Sequence, residues 1–229
     1  AGYPCDMDGI GNLAKKYSLK VIEDAAHAIG TRYKDQKIGN FSDITCFSFY
    51  ATKNLAMGEG GAAVSKNKEL INKIRKLSYF GINKNTFKKY TKTGSWFYDI
   101  EEMGYKANLD SIHAALGIVQ LNKLNKMNFR RREIAKYYRD NFTDKLIFTK
   151  DSDEHHHTYH LFMAKLPDFI VRNDFIEELK NNNIGSSLHF IPLHMHTFYK
   201  NKYVDRFKTA NSIFKNILSL PMCSAMSDN

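Results

Sequence analysis

The chain has 229 residues, 43% of them hydrophobic, with 16 Phe and 13 Tyr, enough apolar content for a sizeable core and too much for intrinsic disorder. Its net charge of +10 suits nucleic acid or any phosphate-rich partner, but no zinc-finger spacing, RNA-recognition signature or basic heptad seam is present, and nucleic acid is set aside. No apolar run reaches bilayer length and no signal peptide opens the chain, while Cys5, Cys46 and Cys223 are scattered and form no Cys-x-x-Cys pair, as expected of reduced thiols in a cytoplasm.

The spacing of Met7, Ile10, Leu13, Ala14 and Tyr17 predicts an amphipathic helix over 7–17, entered from the Gly2-Tyr3-Pro4 turn. It feeds a short apolar strand at Val21 and Ile22, which ends on the acidic pair Glu23 and Asp24. The small residues Ala25 and Ala26 come next, where a ligand can approach the backbone. Residues 31–38, broken at Asp35 and Gln36, predict a small hairpin. Residues 44–49 read as the next strand, with Ile44, Thr45, Phe47 and Phe49 around Ser48 suiting burial on both faces. Lys53 stands just past its end, ahead of a Gly-Glu-Gly-Gly turn at 58–61. A strand over 62–64 and a helix over 66–80 complete a helix–strand alternation of α/β type.

Residues 81–102 form a longer irregular segment rich in Lys, Thr and Tyr, with the only tryptophan at Trp96; long loops are usually functional or mobile. Asn108-Leu109-Asp110 is a plausible helix start, followed by Ile112, Ala115, Leu116, Val119 and Leu121 at helical spacing. The charged stretch 123–126 reads as a bend before a second helix over 129–138, and the change of domain is placed there. Beyond 146 the rhythm becomes that of a smaller α+β unit: a strand over 158–166, a capped helix over 173–180, a strand over 184–190 and a helix over 203–218, with Pro221 as the stop beyond it. His155, His156, His157 and His160 have metal-binding composition but lie in a hydrophilic loop entering a strand. His194 and His196 alternate as on a strand. No carboxylate or cysteine lies near the latter pair to complete a ligand set, and no metal is assigned.

The chemistry is expected at Lys53 and Asp24. An open α/β sheet presents ligands at the carboxyl ends of its strands, and a partly dehydrated lysine held there suits covalent work on a carbonyl. A carboxylate on a second strand tip can pair with a cationic ring nitrogen. A protein orients pyridoxal phosphate, whose protonated pyridine is an electron sink, in this way. Taken singly, Lys53 is a surface lysine in a turn and Asp24 a cap or loop carboxylate. The pair, with His27 and Ser48 between, is far more specific than either.

The runs VIEDAAHAIG, KIGNFSDITCFSFYATKN, GEGGAAVSKN and GYKANLDSIHAALGIVQLNKLNKMNFRRREIAKYY, with LHFIPLH and SLPM, resemble the DegT/DnrJ/StrS family of sugar-nucleotide aminotransferases, pyridoxal-phosphate enzymes of fold type I. The resemblance covers nearly the whole chain. It implies an α/β fold, with residues 1–127 as the later portion of a large cofactor-binding domain and 128–229 as a small α+β domain. It also implies that the chain is the back part of such an enzyme, without the phosphate-cradling turn, the stacking aromatic and the last helix of the family.

By the same resemblance Lys53 binds pyridoxal 5'-phosphate and then carries the substrate proton, while Asp24 holds the pyridine nitrogen. His27 lies beside the phenolic oxygen, and Ser48 donates to the phosphate. Asn108 reaches the phosphate in a neighbouring subunit, which implies a homodimer with shared sites, and His194 faces the sugar. Ser48 also reads as an ordinary strand serine, His27 as a packed histidine and Asn108 as a helix cap. Related proteins with histidine in place of the lysine catalyse dehydration, so Lys53 favours transamination from glutamate or a similar donor to a keto sugar on a nucleoside diphosphate, in surface-polysaccharide or amino-sugar biosynthesis. The competing expectation is a truncated or degenerate non-catalytic paralogue that serves as a partner-binding piece.

Overall fold

The computed structural model describes residues 1–82, 98–149, 152, 154–200 and 207–228. The chain divides into two compact units, Pro4–Leu124 and a second made of Asn125–Asn229 with Ala1–Tyr3. In the first unit, α1 (Met7–Lys16) starts where Asp6 accepts the Gly9 N–H at 3.0 Å, a side-chain cap satisfying a helix donor that has no partner within the helix. The central sheet is built from β1 (Ile22–Asp24), β4 (Ile44–Ser48) and β5 (Gly61–Val64) in the order β1-β4-β5, with β2 (Arg32–Tyr33) and β3 (Gln36–Lys37) forming the expected hairpin between β1 and β4. β1 and β4 are parallel, with Ile22 opposite Ile44 and Asp24 opposite Cys46, whereas β4 and β5 are antiparallel. Asp43 sets the start of β1 by accepting the Val21 N–H at 2.9 Å and the Lys20 ammonium at 3.1 Å. Both contacts hold its carboxyl below the ordinary aspartate range, the backbone donor more than the lysine.

The pleat separates the two faces of this sheet. On one, Thr45 is buried and Phe47 packs against Met7, Ala25, Tyr33 and Ile38. On the other, Cys46 is exposed and Ile22 is 70% exposed, so the expected burial of residues 44–49 on both faces is met on one face only within this chain. α2 (Lys68–Leu77) comes next, capped by Asn67, which accepts the N–H groups of Glu69 (2.8 Å) and Leu70 (3.3 Å).

The two helices expected around residues 123–126 are one, α3 (Ser111–Phe142). The charged stretch holds no glycine or proline, and the inward periodicity continues through it: Leu124, Asn128, Arg131 and Ala135 are all buried. A run of charge on a helix is a solvated face and need not interrupt it.

In the second unit an antiparallel sheet joins β6 (Ile147–Phe148), β8 (Phe162–Lys165) and β9 (Ile217–Leu220) in the order β6-β8-β9, while β7 (His155–His156) is a two-residue strand. Its core sets Ala135, Tyr159 and Phe162 against Tyr138, Phe148, Leu220 and Met222. Tyr138 stacks on Phe162 at 4.9 Å, within the range for stabilising aromatic pairs. The helix α4 (Arg172–Asn181), expected to be capped, starts instead at Val171 without a side-chain cap, and α5 (Thr197–Lys200) is a single turn. Three further elements differ from expectation. β8 begins only at Phe162 because Tyr159 takes a positive φ of 44°, which breaks the extended run. The strand expected over 184–190 is reduced to one bridge between Ser187 and Ser219. The helix expected over 203–218 is α6 (Lys208–Asn216), and Ile217–Leu220 leave it to pair with β8; a short apolar run fits either period, and pairing decides. Residues 201–206 lie outside the described residues. No helix among the described residues is long and apolar enough to cross a membrane.

Arg131 ties α3 to the rest of this unit. It is 8% exposed, and its Nη1 donates to the carbonyls of Tyr159 (3.0 Å), Met222 (3.2 Å) and His160 (3.4 Å), while Nε is buried without a partner among the described residues. Burial lowers the guanidinium pKa. Arg131→Leu keeps the apolar stem but strands these carbonyls, and we expect a loss of about 2–4 kcal/mol in urea unfolding. Arg130→Leu, whose partners Met226 and Asp228 lie near the exposed tail, should shift the midpoint little.

Candidate active site

Two adjacent parallel strands, β1 and β4, present their carboxyl ends at the same edge of the sheet, the edge at which open α/β sheets bind ligands. The acidic pair at the tip of β1 is divided by the pleat. Glu23 turns to the packed face and accepts from Thr45 Oγ1 at 3.0 Å and Ser42 Oγ at 3.2 Å. Asp24 is exposed on the other face, opposite Cys46, and its Oδ1 accepts the Ala26 N–H at 2.9 Å. Among the described residues no group donates to Asp24 Oδ2. His27 is half-buried in the turn after it, closed by the Ala28 N–H on the Ala25 carbonyl at 2.9 Å.

β4 ends at Ser48, half-buried, whose Oγ accepts the Tyr50 N–H at 3.4 Å and so keeps its own proton for another acceptor. The loop beyond is closed at its neck. Met57 N–H donates to the Phe49 carbonyl (3.0 Å), and Phe49 N–H donates to the Gly60 carbonyl (2.9 Å). Lys53 lies on the first turn of this loop, its N–H on the Tyr50 carbonyl at 2.9 Å; its side chain is half-buried and its ammonium has no hydrogen-bond or ion-pair partner among the described residues. Asn54, Leu55 and Met57 beneath it are buried.

Residues that sequence reasoning missed hold this loop. Met57 is wedged between two glycines: a Cβ on Gly60 would lie 2.1 Å from its Cε, and one on Gly117 of α3 would lie 2.6 Å from its Sδ. A side chain at either position would force the end of Met57 to move, and at Gly60 the φ of +156° disfavours one in any case. The segment before α3 also touches the turn, since Leu109 Cδ1 is 3.3 Å from where a Gly60 Cβ would stand and the His113 ring 3.0 Å from that of Gly58. Nothing in the local sequence pairs Met57 with Gly117; the small residue inside a helical pattern was the one available signal.

Asn108 is exposed on that segment and does not cap the helix. Asp110 does, accepting the N–H groups of Ile112 (2.9 Å) and His113 (3.0 Å) at Oδ1 and meeting His113 Nδ1 at 2.6 Å through Oδ2. The His113 backbone donor, then its ring, holds the Asp110 carboxyl below the ordinary range. His194 belongs to the second unit and lies in a 3-10 turn, Leu193–Met195, with His196 just after it, so the two do not alternate on a strand. Its Nε2 meets Asn211 Oδ1 at 2.6 Å and its ring stacks on Phe207 at 4.6 Å. His155 and His157 pack edge-on to Tyr3, and His157 Nδ1 accepts the Tyr159 N–H at 2.8 Å. Among the described residues there is no group of three or more metal-ligating side chains. Most of the basic and aromatic stretch 79–92 considered for a diphosphate, and Trp96, lie outside the described residues.

Comparison with known proteins bears on this site. The profile of the DegT/DnrJ/EryC1/StrS aminotransferase family matches residues 1–229. The chain is 45% identical to an uncharacterized protein, MJ1066, of Methanocaldococcus jannaschii, and 43% identical to the spore coat polysaccharide biosynthesis protein SpsC of Bacillus subtilis; each match covers 100% of this chain and 61% of the relative. Among solved structures, Spr1654 of Streptococcus pneumoniae, named as a sugar aminotransferase, superposes in its PMP form with a TM-score of 0.90 at 31% identity over 99% of this chain and 63% of that one. The same protein in its PLP form gives 0.88 at 30% identity. The chain thus spans about three fifths of the length of these relatives, and its α/β sheet and flanking helices are those of fold type I. This chain belongs to the DegT/DnrJ/EryC1/StrS aminotransferase family.

Proposed function

We propose that this chain carries the lysine and the carboxylate of a pyridoxal-phosphate aminotransferase. The reaction moves an amino group from glutamate or a similar amino acid to a keto sugar linked to a nucleoside diphosphate, in surface-polysaccharide or amino-sugar biosynthesis. Residues 1–127 serve the cofactor and 128–229 form the small domain, and the reduced state of the three free cysteines suits the cytoplasm. One observation carries the reading: Asp24 and the Lys53 loop leave the same sheet edge on neighbouring parallel strands, with Oδ2 of one and the ammonium of the other unpartnered among the described residues. A carboxylate oxygen and an amine so left fit opposite ends of a flat pyridine aldehyde. When bound, pyridoxal 5'-phosphate supplies an electron sink for the substrate carbon.

The residues divide the work. Lys53 would hold the cofactor through its amine, with loss of water, and once the donor's amine has displaced it the freed amine would move a proton between C4′ and the substrate carbon. Asp24 keeps the pyridine nitrogen protonated by a charge-assisted hydrogen bond, and Ser48 donates its free hydroxyl proton to the phosphate. His27 lies beside the phenolic oxygen, and His194 faces the sugar. Asn108 serves the phosphate of a second copy of the chain. The apolar side chains around it support such a homodimer, since Met103 is 90% and Ile112 82% exposed, and Tyr105 and Leu109 are exposed as well. The test is borohydride reduction of the protein mixed with the cofactor, followed by peptide mapping. A pyridoxyl adduct on Lys53 is the expected result; no adduct, or one confined to other lysines, overturns the assignment.

A further inference from the structure

Lys106 is more tightly placed than an exposed lysine ordinarily is. The backbone around it is stitched to the end of α2: Tyr105 N–H donates to the Leu77 carbonyl (2.7 Å), Ala107 N–H to that of Ser78 (2.9 Å), and Phe80 N–H to that of Tyr105 (3.0 Å). Tyr79 and Lys106 face each other as an antiparallel bridge. The ammonium lies over two rings, 5.0 Å from the centroid of Tyr79 and 5.8 Å from that of Phe80, contacts that restrain a cation. From there Nζ donates to Asn108 Oδ1.

That hydrogen bond decides what Asn108 can offer. A planar amide has one acceptor oxygen and one donor NH2. With Oδ1 held on a cation, the group left for a ligand is Nδ2, polarised towards donation by the charge behind it. Nor does the helix draw the Asn108 oxygen into a cap and turn the amide away, because Asp110 supplies the acceptor there. We propose that Lys106 is a positioning residue, holding the Asn108 amide so that Nδ2 faces an anion, the phosphate of the cofactor. The inference rests on the reading of Asn108 as a phosphate ligand.

The test compares affinities for pyridoxal 5'-phosphate and for pyridoxal, which lacks the phosphate, in the full chain and in Lys106→Met, Asn108→Ala and the double variant, with thermal unfolding recorded for each. Lys106→Met should weaken pyridoxal 5'-phosphate about tenfold, leave pyridoxal and the unfolding temperature unchanged, and add nothing in the Asn108→Ala background. Unchanged affinity in Lys106→Met beside a weakened Asn108→Ala overturns the role of Lys106 alone. So does an additive double variant, which would mean that the lysine meets the phosphate by itself, and so does equal weakening of both ligands. Unchanged affinity in Asn108→Ala overturns the phosphate role of Asn108 and this inference with it.

Discussion

Replacing Lys53 by alanine is expected to abolish the borohydride-stable adduct and to lower turnover about a thousandfold or more, because one side chain supplies both the covalent amine and the proton carrier, and general acid–base work alone contributes roughly 10²–10⁴. The fold should survive. Lys53 makes no ion pair among the described residues, and its loop is held by Met57, Phe49 and Gly60. The unfolding temperature should therefore stay near that of the parent. Lys53→Arg separates charge from chemistry: it keeps a cation at the loop but offers no amine to a carbonyl, and it should be as inactive as the alanine variant. A small primary amine added to Lys53→Ala should restore part of the turnover. If Lys53→Ala takes up cofactor with the parent's spectrum and activity, the lysine has no role in attachment.

The order of elements around this lysine was legible because each depends on local pattern. The helix ahead of β1, the hairpin and the strand leading to Lys53 follow from apolar spacing and turn residues, and all are present. What was not legible depends on contacts distant in sequence. Nothing in the pair Glu23-Asp24 says which carboxylate is spent on Thr45 and Ser42; the register of β1 against β4 decides it. Met57 and Gly117 stand sixty residues apart in numbering, and their fit exists only once α3 lies across the lysine loop. Asn108 and Asp110 are equally good caps by type, and Asp110 takes the role, which leaves Asn108 beside Lys106. In α3 the charges at 123–126 hid a continuous helix whose buried positions run from Leu124 to Ala135. Local chemistry named the groups, and tertiary contacts assigned their work.

Asp24→Asn tests the other half of the proposed pair and changes only two atoms' worth of chemistry. The amide oxygen can take over the Ala26 N–H that Oδ1 now accepts, so the turn after β1 should hold its shape. The position of Oδ2 then carries an NH2 group, a donor where a protonated ring nitrogen needs an acceptor. A ring nitrogen bound there would no longer be held protonated, and its pull on the substrate carbon would weaken. Removing one such preorganised electrostatic contact from a reacting centre costs about 10²–10³ in rate, and we expect turnover to fall by at least that much while cofactor still attaches at Lys53. Glu23→Gln is the matched comparison on the neighbouring residue. Its carboxylate accepts from two hydroxyls on the packed face through a single oxygen, a place an amide oxygen can fill, so the variant should leave the cofactor spectrum alone and the unfolding temperature little changed. If Asp24→Asn turns over as fast as the parent, or if Glu23→Gln rather than Asp24→Asn shifts the spectrum, the carboxylate at the ring nitrogen has been misassigned.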